Sequence, residues 1–157
     1  MIDREELLRL YAGGEKDFTG QKFRGSRWVD QDPKGGIGIF RETNFTRSFF
    51  DGSGFRNADL SFANFTMVRI YETFFAENCY MEGVNFSYAV FGQVTFYDVN
   101  LTKAIFKNTT FEEAGFENAN LSYANLSGAT KLVSGRCKNV IFHETIMPNG
   151  SVYTGRA

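Results

Sequence analysis

The chain has 157 residues, 17 Lys and Arg against 18 Asp and Glu, a formal net charge of −1 and 43% hydrophobic residues. This composition fits one soluble domain with a continuous core, and it lacks the strongly basic balance that is typical of nucleic-acid-binding proteins. The sequence contains neither a long apolar run nor a charged-then-apolar leader, so it predicts no membrane span and no signal peptide. Its two cysteines are too few for a disulfide framework, and we expect both to be reduced thiols of a cytoplasmic protein.

A short helix is predicted at the N-terminus. Asp3 followed by Glu6 resembles a capping box, and Leu7, Leu10 and Tyr11 follow at helical spacing before a glycine pair ends the run. A solenoid exposes an open core at each end, so we expect this helix to cover the first coil of the repeat that follows.

The segment between the helix and the main repeat is irregular. Phe18, Phe23 and Trp28 follow a period of five residues. The stretch Val29–Ile39 contains Pro33 and several glycines and is too long for one repeat unit, so it is predicted to be a loop.

A period of five residues then dominates the chain. Large apolar side chains, called centres below, recur at every fifth residue, with one step of six residues between Tyr80 and Phe86. This period fits neither an α-helix nor a β-strand and indicates a repeat fold whose unit is one short side of a coil. The predicted centres are Phe40, Phe45, Phe50, Phe55, Leu60, Phe65, Ile70, Phe75, Tyr80, Phe86, Phe91, Phe96, Leu101, Phe106, Phe111, Phe116, Leu121 and Leu126.

The residue two positions before each centre is small or β-branched in every unit except the one at Asn78. We therefore expect one large and one small residue of each unit to point inward and the other three to point outward. In this phase Cys79 takes an outward position. The step of six predicts a local bulge near Gly83.

Four units per coil give the most regular columns. Every fourth centre then shares a column, and the residue before the second-column centre is Asn in most coils. This ladder consists of Asn44, Asn64, Asn85, Ile105 and Asn125. Three or five units per coil scatter the pattern. The first, second, third and fourth columns begin with the centres Phe40, Phe45, Phe50 and Phe55, respectively. Each column forms the face of the rod that has the same number.

The repeat breaks down after residue 130. Lys131 and Arg136 take centre positions, Ile141 and Ile146 regain the spacing, and Pro148–Gly150 turns the chain away. The sequence thus predicts a single domain, 1–157. Its parts are a capping helix at 1–14, a repeat at 15–130 with a loop at 29–39, and a C-terminal cap at 131–157.

Several units resemble the A-(D/N)-L-x-x signature of pentapeptide-repeat proteins. The stretches that carry the resemblance are Ala58–Phe62, Ala63–Phe65, Ala119–Tyr123 and Ala124–Gly128. The resemblance extends over roughly residues 18–130. It implies an all-β solenoid, namely a right-handed quadrilateral β-helix with four units per coil and about five coils.

Constellations for catalysis or metal binding are weak. His143 is the only histidine, so a catalytic triad or dyad would need a Ser or Cys from another coil. Asp30–Gly35 faintly resembles a calcium loop, but Lys34 stands where an oxygen ligand is needed, and the glycines that follow lack the P-loop lysine. Glu112 and Glu113 are expected to face solvent. We predict no enzyme activity, no cofactor and no metal site.

The distribution of charge is the surface feature that predicts function. Acidic residues gather on the third and fourth columns, whereas the C-terminal segment is basic. We call the acidic set the acidic edge; it consists of Asp51, Glu72, Glu77, Asp98, Glu112, Glu113 and Glu117. Such a set would steer a basic protein partner, although it could also be only a solubilising surface.

The leading interpretation is a non-enzymatic scaffold that binds an unidentified protein, as a monomer or weak dimer, and binds neither nucleic acid nor membrane. The family resemblance implies the same, because its characterised members act by contact. The resemblance also raises an alternative, a DNA mimic that binds or protects DNA gyrase. Such mimics are strongly acidic rods joined by a C-terminal dimer contact, whereas this chain has a net charge of −1 and a basic tail. A small enzyme is a third possibility, which the lone histidine disfavours.

Overall fold

The computed structural model describes residues 1–26, 38–76 and 79–157, which form a β-solenoid of about four turns preceded by one short helix. Neighbouring coils pair in parallel at a separation of 20 residues: Asn44 pairs with Asn64, and Ile105 pairs with Asn125. Four units of five residues therefore make one coil, as the column pattern predicts.

Helix α1 (Arg4–Ala12) covers the N-terminal end of the solenoid. Asp3 caps the helix, because its carboxylate accepts the backbone N–H of Glu6 at 2.9 Å. Leu7 is fully buried in the common core, and the Tyr11 ring contacts Phe40 edge-on at 5.1 Å. The predicted capping helix is confirmed.

The strands are short and mostly parallel. In chain order they are β1 (Lys22–Ser26), β2 (Gly38–Ile39), β3 (Phe49–Phe55), β4 (Ala58–Asp59), β5 (Arg69–Tyr71), β6 (Phe74–Phe75), β7 (Val90–Gly92), β8 (Thr95–Tyr97), β9 (Thr110–Glu112), β10 (Gly115–Glu117), β11 (Cys137–Lys138), β12 (Ile141–Ile146) and β13 (Val152–Arg156). The third face consists of β1, the start of β3, β5, β7 and β9, and the fourth face consists of the end of β3, β6, β8, β10 and β11.

Tight turns replace longer strands beside the first and second columns. Ala63 N–H donates to the Leu60 carbonyl at 3.0 Å, and Val68 N–H donates to the Phe65 carbonyl at 3.1 Å. Most coils on these two faces are joined by isolated bridges, which include the Asn ladder. The predicted ladder is therefore confirmed as a continuous column.

The residue two positions after the centre forms each corner of the solenoid. It adopts a left-handed backbone in every described unit from Phe40 to Leu126, for example at Phe62 (φ 61°), Met67 (φ 59°) and Gln93 (φ 55°). A β-branched side chain is strongly disfavoured in this conformation. This explains why the corner positions hold glycine or unbranched residues, a regularity that the sequence analysis missed.

The core is a stack of aromatic rings. Of the eighteen predicted centres, seventeen are buried, with at most 5% of each residue exposed. Rings of one column stack between coils, as Phe75 and Phe96 do at 4.9 Å, and rings of adjacent columns meet edge-on, as Phe86 and Phe91 do at 5.1 Å. Both are favourable arrangements of aromatic pairs.

Tyr80 is the exception among the centres, because it is 45% exposed whereas Met81 is fully buried. Phe75 pairs with Phe55, 20 residues earlier, but Tyr80 pairs with Asp59, 21 residues earlier. The extra residue therefore precedes Tyr80, and the true centre is Met81.

Two predictions that assumed Tyr80 to be a centre are wrong. Gly83 is an ordinary left-handed corner (φ 64°), two residues after Met81, and not a bulge. Cys79 does not point outward. It is 2% exposed, because it takes the small inward position two residues before Met81.

The solenoid continues beyond residue 130 in a phase that is also shifted by one. Val140 and Phe142 are buried, whereas Ile141 is 37% exposed. Likewise Met147, not Ile146, follows the buried Thr145 at the spacing of a centre and packs against the core. The predicted centres Ile141 and Ile146 are therefore wrong by one residue.

A 3-10 turn at Ser134–Arg136 accounts for this second shift. Cys137, not Arg136, lies opposite Phe116. Strands β12 and β13 lie on either side of Pro148–Gly150, where the sequence predicts a turn. They pair antiparallel and form the C-terminal end of the molecule.

Some predictions concern residues outside the described part of the chain. They are Trp28, the loop Val29–Ile39 apart from the two residues of β2, the segment Asp30–Gly35, Glu77 and Asn78. In the described part, none of the helices has the length and apolar character that crossing a membrane requires.

Candidate functional site

Three residues of the acidic edge meet at the corner between the third and fourth faces. Glu72, Glu112 and Glu113 line a groove of about 340 Å³, which we call the acidic groove. The other lining residues are Tyr71, Gly92 and Gln93. Glu72 and Glu113 occupy left-handed corners (φ 48° and 55°), where the chain turns from the third face to the fourth.

An aromatic ring forms one wall of the acidic groove. Tyr71 in β5 pairs in register with Gly92 in β7, which in turn pairs with Glu112 in β9. A side-chain carbon at position 92 would collide with the Tyr71 ring, so glycine allows the ring to lie across the neighbouring coil. The sequence analysis missed Gly92 and Gln93. Their positions one coil after Tyr71 and Glu72 could have revealed them.

The carboxylates of the acidic groove differ in their partners. Glu112 accepts a hydrogen bond from Lys131 Nζ at 2.7 Å, and Glu113 accepts one from Gln93 Nε2 at 3.3 Å. Glu72 has no side-chain partner among the described residues. Because both side chains of the Lys131–Glu112 pair are largely exposed, this pair contributes little to stability. Glu72 is therefore the carboxylate most available to a partner.

The remaining acidic residues lie apart from the groove. Asp51 is half-buried in the row of Tyr71, one coil earlier, and Asp98 is at the corner beyond the fourth face. Glu117 pairs in register with Tyr97 and Lys138. Of the six acidic-edge residues in the described part of the chain, the structure thus brings three together and leaves three apart, whereas Glu77 lies outside that part.

The basic C-terminal segment runs along the end of the acidic edge. Glu113 and Glu117 line a second groove of about 250 Å³ together with Arg136 and Lys138. Arg136 also donates a hydrogen bond to the backbone carbonyl of Glu113 at 3.1 Å. The acidic surface therefore ends at β10, because the next coil is basic.

The nucleophile and base candidates lie in different places. Cys79 is in the core, where its thiol donates to the Phe55 carbonyl at 3.1 Å and burial raises its pKa to about 12. Burial also raises the pKa of the Cys137 thiol. The exposed His143 ring contacts Tyr123 edge-on at 5.1 Å. Across the described ranges, no group of three or more His, Cys, Asp or Glu side chains could hold a metal ion.

The amide oxygens of the Asn ladder are committed to local turns. Asn64 Oδ1 accepts the backbone N–H of Thr66 at 3.0 Å and its hydroxyl at 2.6 Å. Asn85 makes the same pair of hydrogen bonds with Ser87. This geometry supports a structural role for the ladder.

A family model described as pentapeptide repeats matches eight copies in the chain, over residues 39–75, 79–117 and 96–130. These ranges together cover more than half of the chain. The chain belongs to the pentapeptide-repeat family. No match covers residues 76–78, which lie in the stretch between Phe75 and Tyr80 that contains the extra residue.

Solved structures of pentapeptide-repeat proteins are among the similar folds. A trypsin-treated form of QnrB1, a plasmid-mediated fluoroquinolone resistance protein, is 14% identical with a TM-score of 0.44 over 83% of this chain and 69% of that chain. A pentapeptide repeat protein from the cyanobacterium Cyanothece 51142 is 17% identical with a TM-score of 0.37 over 95% and 97% of the two chains. One from the Arabidopsis thaliana thylakoid lumen is 22% identical with a TM-score of 0.34 over 66% of each chain. No curated protein matches the sequence significantly.

Proposed function

We propose that this pentapeptide-repeat chain is a non-enzymatic scaffold that binds a basic surface of a protein partner through the acidic groove. The observation that carries the proposal is the convergence of Glu72, Glu112 and Glu113 around one groove on a tightly packed framework. A framework that is already ordered loses little conformational entropy on association.

Electrostatics supports a basic partner. Carboxylates at a corner project away from both faces and accelerate the encounter with positive charge. Glu72 is exposed and has no partner among the described side chains, so binding a cation there breaks no existing ion pair. The Tyr71 ring beside it offers a face for a guanidinium or ammonium group.

The non-enzymatic part of the proposal rests on how the side chains are used. The inward residues of each unit fill the core, and the thiol of Cys79 is kept protonated by burial. Free cysteines suit a reducing compartment, which supports a cytoplasmic location.

The test combines Glu72→Gln with Glu113→Gln. We expect affinity capture of the main partner from native cell lysate to fall about tenfold and to lose most of its salt dependence, because two carboxylates are removed. The control combines Glu42→Gln with Glu144→Gln, two exposed acids at corners beside the first column, and should leave capture unchanged. Equal capture by the wild type and the Glu72/Glu113 variant would mean that the acidic edge is only a solubilising surface.

The DNA-mimic alternative makes a different prediction. A gyrase-binding mimic should alter DNA supercoiling by gyrase or its inhibition by a fluoroquinolone. A net charge of −1 and the basic residues beside the acidic edge disfavour this role. We expect no effect in a supercoiling assay, and a dose-dependent effect of the purified chain would favour the mimic.

A further inference from the structure

We propose that the second face of the rod is a separate docking surface for an acidic protein segment that carries an aromatic side chain between two carboxylates. The second face consists here of the outward residues of the second column and the two corners that bound it. This proposal does not depend on the acidic groove, which has the opposite charge and lies at another corner of the rod.

Exposed apolar side chains on this face have no role in the core. Met67 is 45% exposed and Tyr88 is 51% exposed. They occupy the same corner in successive coils, because Met67 N–H donates to the Ser87 carbonyl at 2.9 Å. Phe62, 49% exposed, lies at the other corner of the same face. The coils are about 4.8 Å apart, so Met67 and Tyr88 form a contiguous apolar surface.

The backbone at these corners does not require such side chains. Met67 and Tyr88 both have a φ of 59°, a conformation that strains residues other than glycine. Gly128 fills the same corner two coils beyond Tyr88 with a φ of 70°. About half of each side chain stays exposed at these strained positions, so packing within the fold accounts for only part of it.

Positive charge flanks the apolar pair on both sides. Arg47 lies one coil before Met67, since Arg47 N–H donates to the Thr66 carbonyl at 2.9 Å, and the Lys107 carbonyl accepts Tyr88 N–H at 2.9 Å. Both basic residues are exposed, and neither has an ion pair among the described residues. By contrast, other basic residues are paired: Arg41 with Asp59, Lys103 with Glu82 and Lys131 with Glu112.

The second face has no acidic residue to neutralise these charges in its central coils. Between Glu42 at one end and Glu144 at the other, the outward residues in the described coils are polar, apolar or basic. The oxygens of the Asn side chains on this face are held in local turns. A partner that fits this surface therefore brings negative charge and one apolar group.

The spacing of the charges defines the segment. Arg47 and Lys107 are three coils apart, which is about 14 Å along the rod. An extended peptide covers this distance in about four residues. A segment with Glu at both ends of such a span and Phe in the middle would place its ring on Met67 and Tyr88 and a carboxylate near each basic residue.

The experiment uses the full chain and a fluorescein-labelled probe peptide, Gly-Glu-Ser-Phe-Ser-Glu-Gly. We expect saturable binding in fluorescence anisotropy, at a Kd of about 10–500 μM in low salt, that weakens about tenfold or more when salt is raised to about 0.5 M. A peptide with Lys in place of both Glu residues should not bind, and one with Ser in place of Phe should bind about tenfold more weakly.

Matched variants locate the binding surface. Arg47→Gln combined with Tyr88→Asn should weaken binding of the probe at least about tenfold, and asparagine tolerates the left-handed corner, as it does at Asn108 in the same row. The control combines Arg69→Gln with Tyr80→Asn, an exposed base and an exposed tyrosine on other faces, and should bind as the wild type does. Thermal unfolding of both variants confirms that each is folded.

Any one of three results with the peptides and variants would overturn the proposal. They are absence of saturable binding of the probe, equal binding of the Lys peptide, and equal loss of binding in the two variants. Tighter binding of a single-stranded oligonucleotide or of vesicles with anionic lipid, weakened by the same Arg47 and Tyr88 changes, would also overturn it, because the surface would then recognise another class of partner.

Discussion

Each residue of the five-residue unit meets a different physical requirement. The centre fills the core, and the residue two positions before it must be small because it faces the same interior. The residue two positions after it must accept a left-handed backbone, as Met67 does with a φ of 59°. Three requirements at fixed spacing define the phase of the chain better than the large residue alone. They assign Met81, between Cys79 and Gly83, as a centre in place of Tyr80.

The phase at Met81 can be tested by truncation of two neighbouring side chains. Met81→Ala should lower the free energy of unfolding by about 2–5 kcal/mol, because it leaves a cavity in the core. Tyr80→Ala should lower it by about 0.5 kcal/mol or less, since the ring is 45% exposed. Urea denaturation measures both values. A larger loss for Tyr80→Ala than for Met81→Ala would contradict the phase.

At the scale of the element, each strand or bridge is stable only through its pairing with the coils on either side. A shift of one residue along the chain would turn the inward residues outward, so the register must recover after every irregularity. The chain has one surplus residue between Phe75 and Tyr80, and another in the 3-10 turn Ser134–Arg136. After each of these two places, the small inward residue again stands two positions before the large one, as in the other units.

Single deletions distinguish surplus residues from structural ones. Deleting Asn78 restores a step of five between Phe75 and Met81, so we expect a cooperative transition within about 2 kcal/mol of the wild-type free energy of unfolding. Deleting Glu82 shortens the step between Met81 and Phe86 to four and should abolish the cooperative transition, because one of the two flanking coils must lose its register. Circular dichroism during thermal unfolding measures the outcome. Collapse of both variants would show that the extra residue is structural.

At the scale of the whole molecule, the ends of the solenoid need protection from solvent and from pairing with other chains. Helix α1 covers the N-terminal end with Leu7, and the hairpin of β12 and β13 forms the C-terminal end. The sides of the rod differ in charge. The acidic groove is at one corner, whereas the second face has Arg47 and Lys107 without acidic partners in the described part of the chain.

The role of the N-terminal helix can be tested at Leu7. Leu7→Ala should lower the free energy of unfolding by about 2–5 kcal/mol, because this side chain is fully buried over the first coil. Leu8→Ala should cost about 1 kcal/mol, since Leu8 is only partly buried. Chemical denaturation gives both values, and light scattering should show aggregation of the Leu7 variant first. Unchanged stability of the Leu7 variant would mean that the helix is dispensable for folding.

The repeat, the four units per coil, the Asn ladder and the capping helix could all be predicted from the order of the residues. These features depend on the size of side chains at fixed spacing and on helix-capping residues, which are local properties of the chain. The identity of the centre after each irregularity was decided by the tertiary structure. The size of the large residue alone fits either Tyr80 or Met81, and stacking on the adjacent coils buries Met81 and leaves Tyr80 exposed.

For the candidate site too, some features could be predicted from the sequence and others could not. The acidic character of the third and fourth columns was visible in the sequence. The convergence of Glu72, Glu112 and Glu113 beside Tyr71 and the pairing of Glu112 with Lys131 were not. The ion pair joins residues 19 positions apart in neighbouring coils, and the groove joins Tyr71 and Glu72 to residues two coils further on. Whether a carboxylate is free or paired depends on which side chain the next coil places beside it, and only the stacking of the coils determines that neighbour.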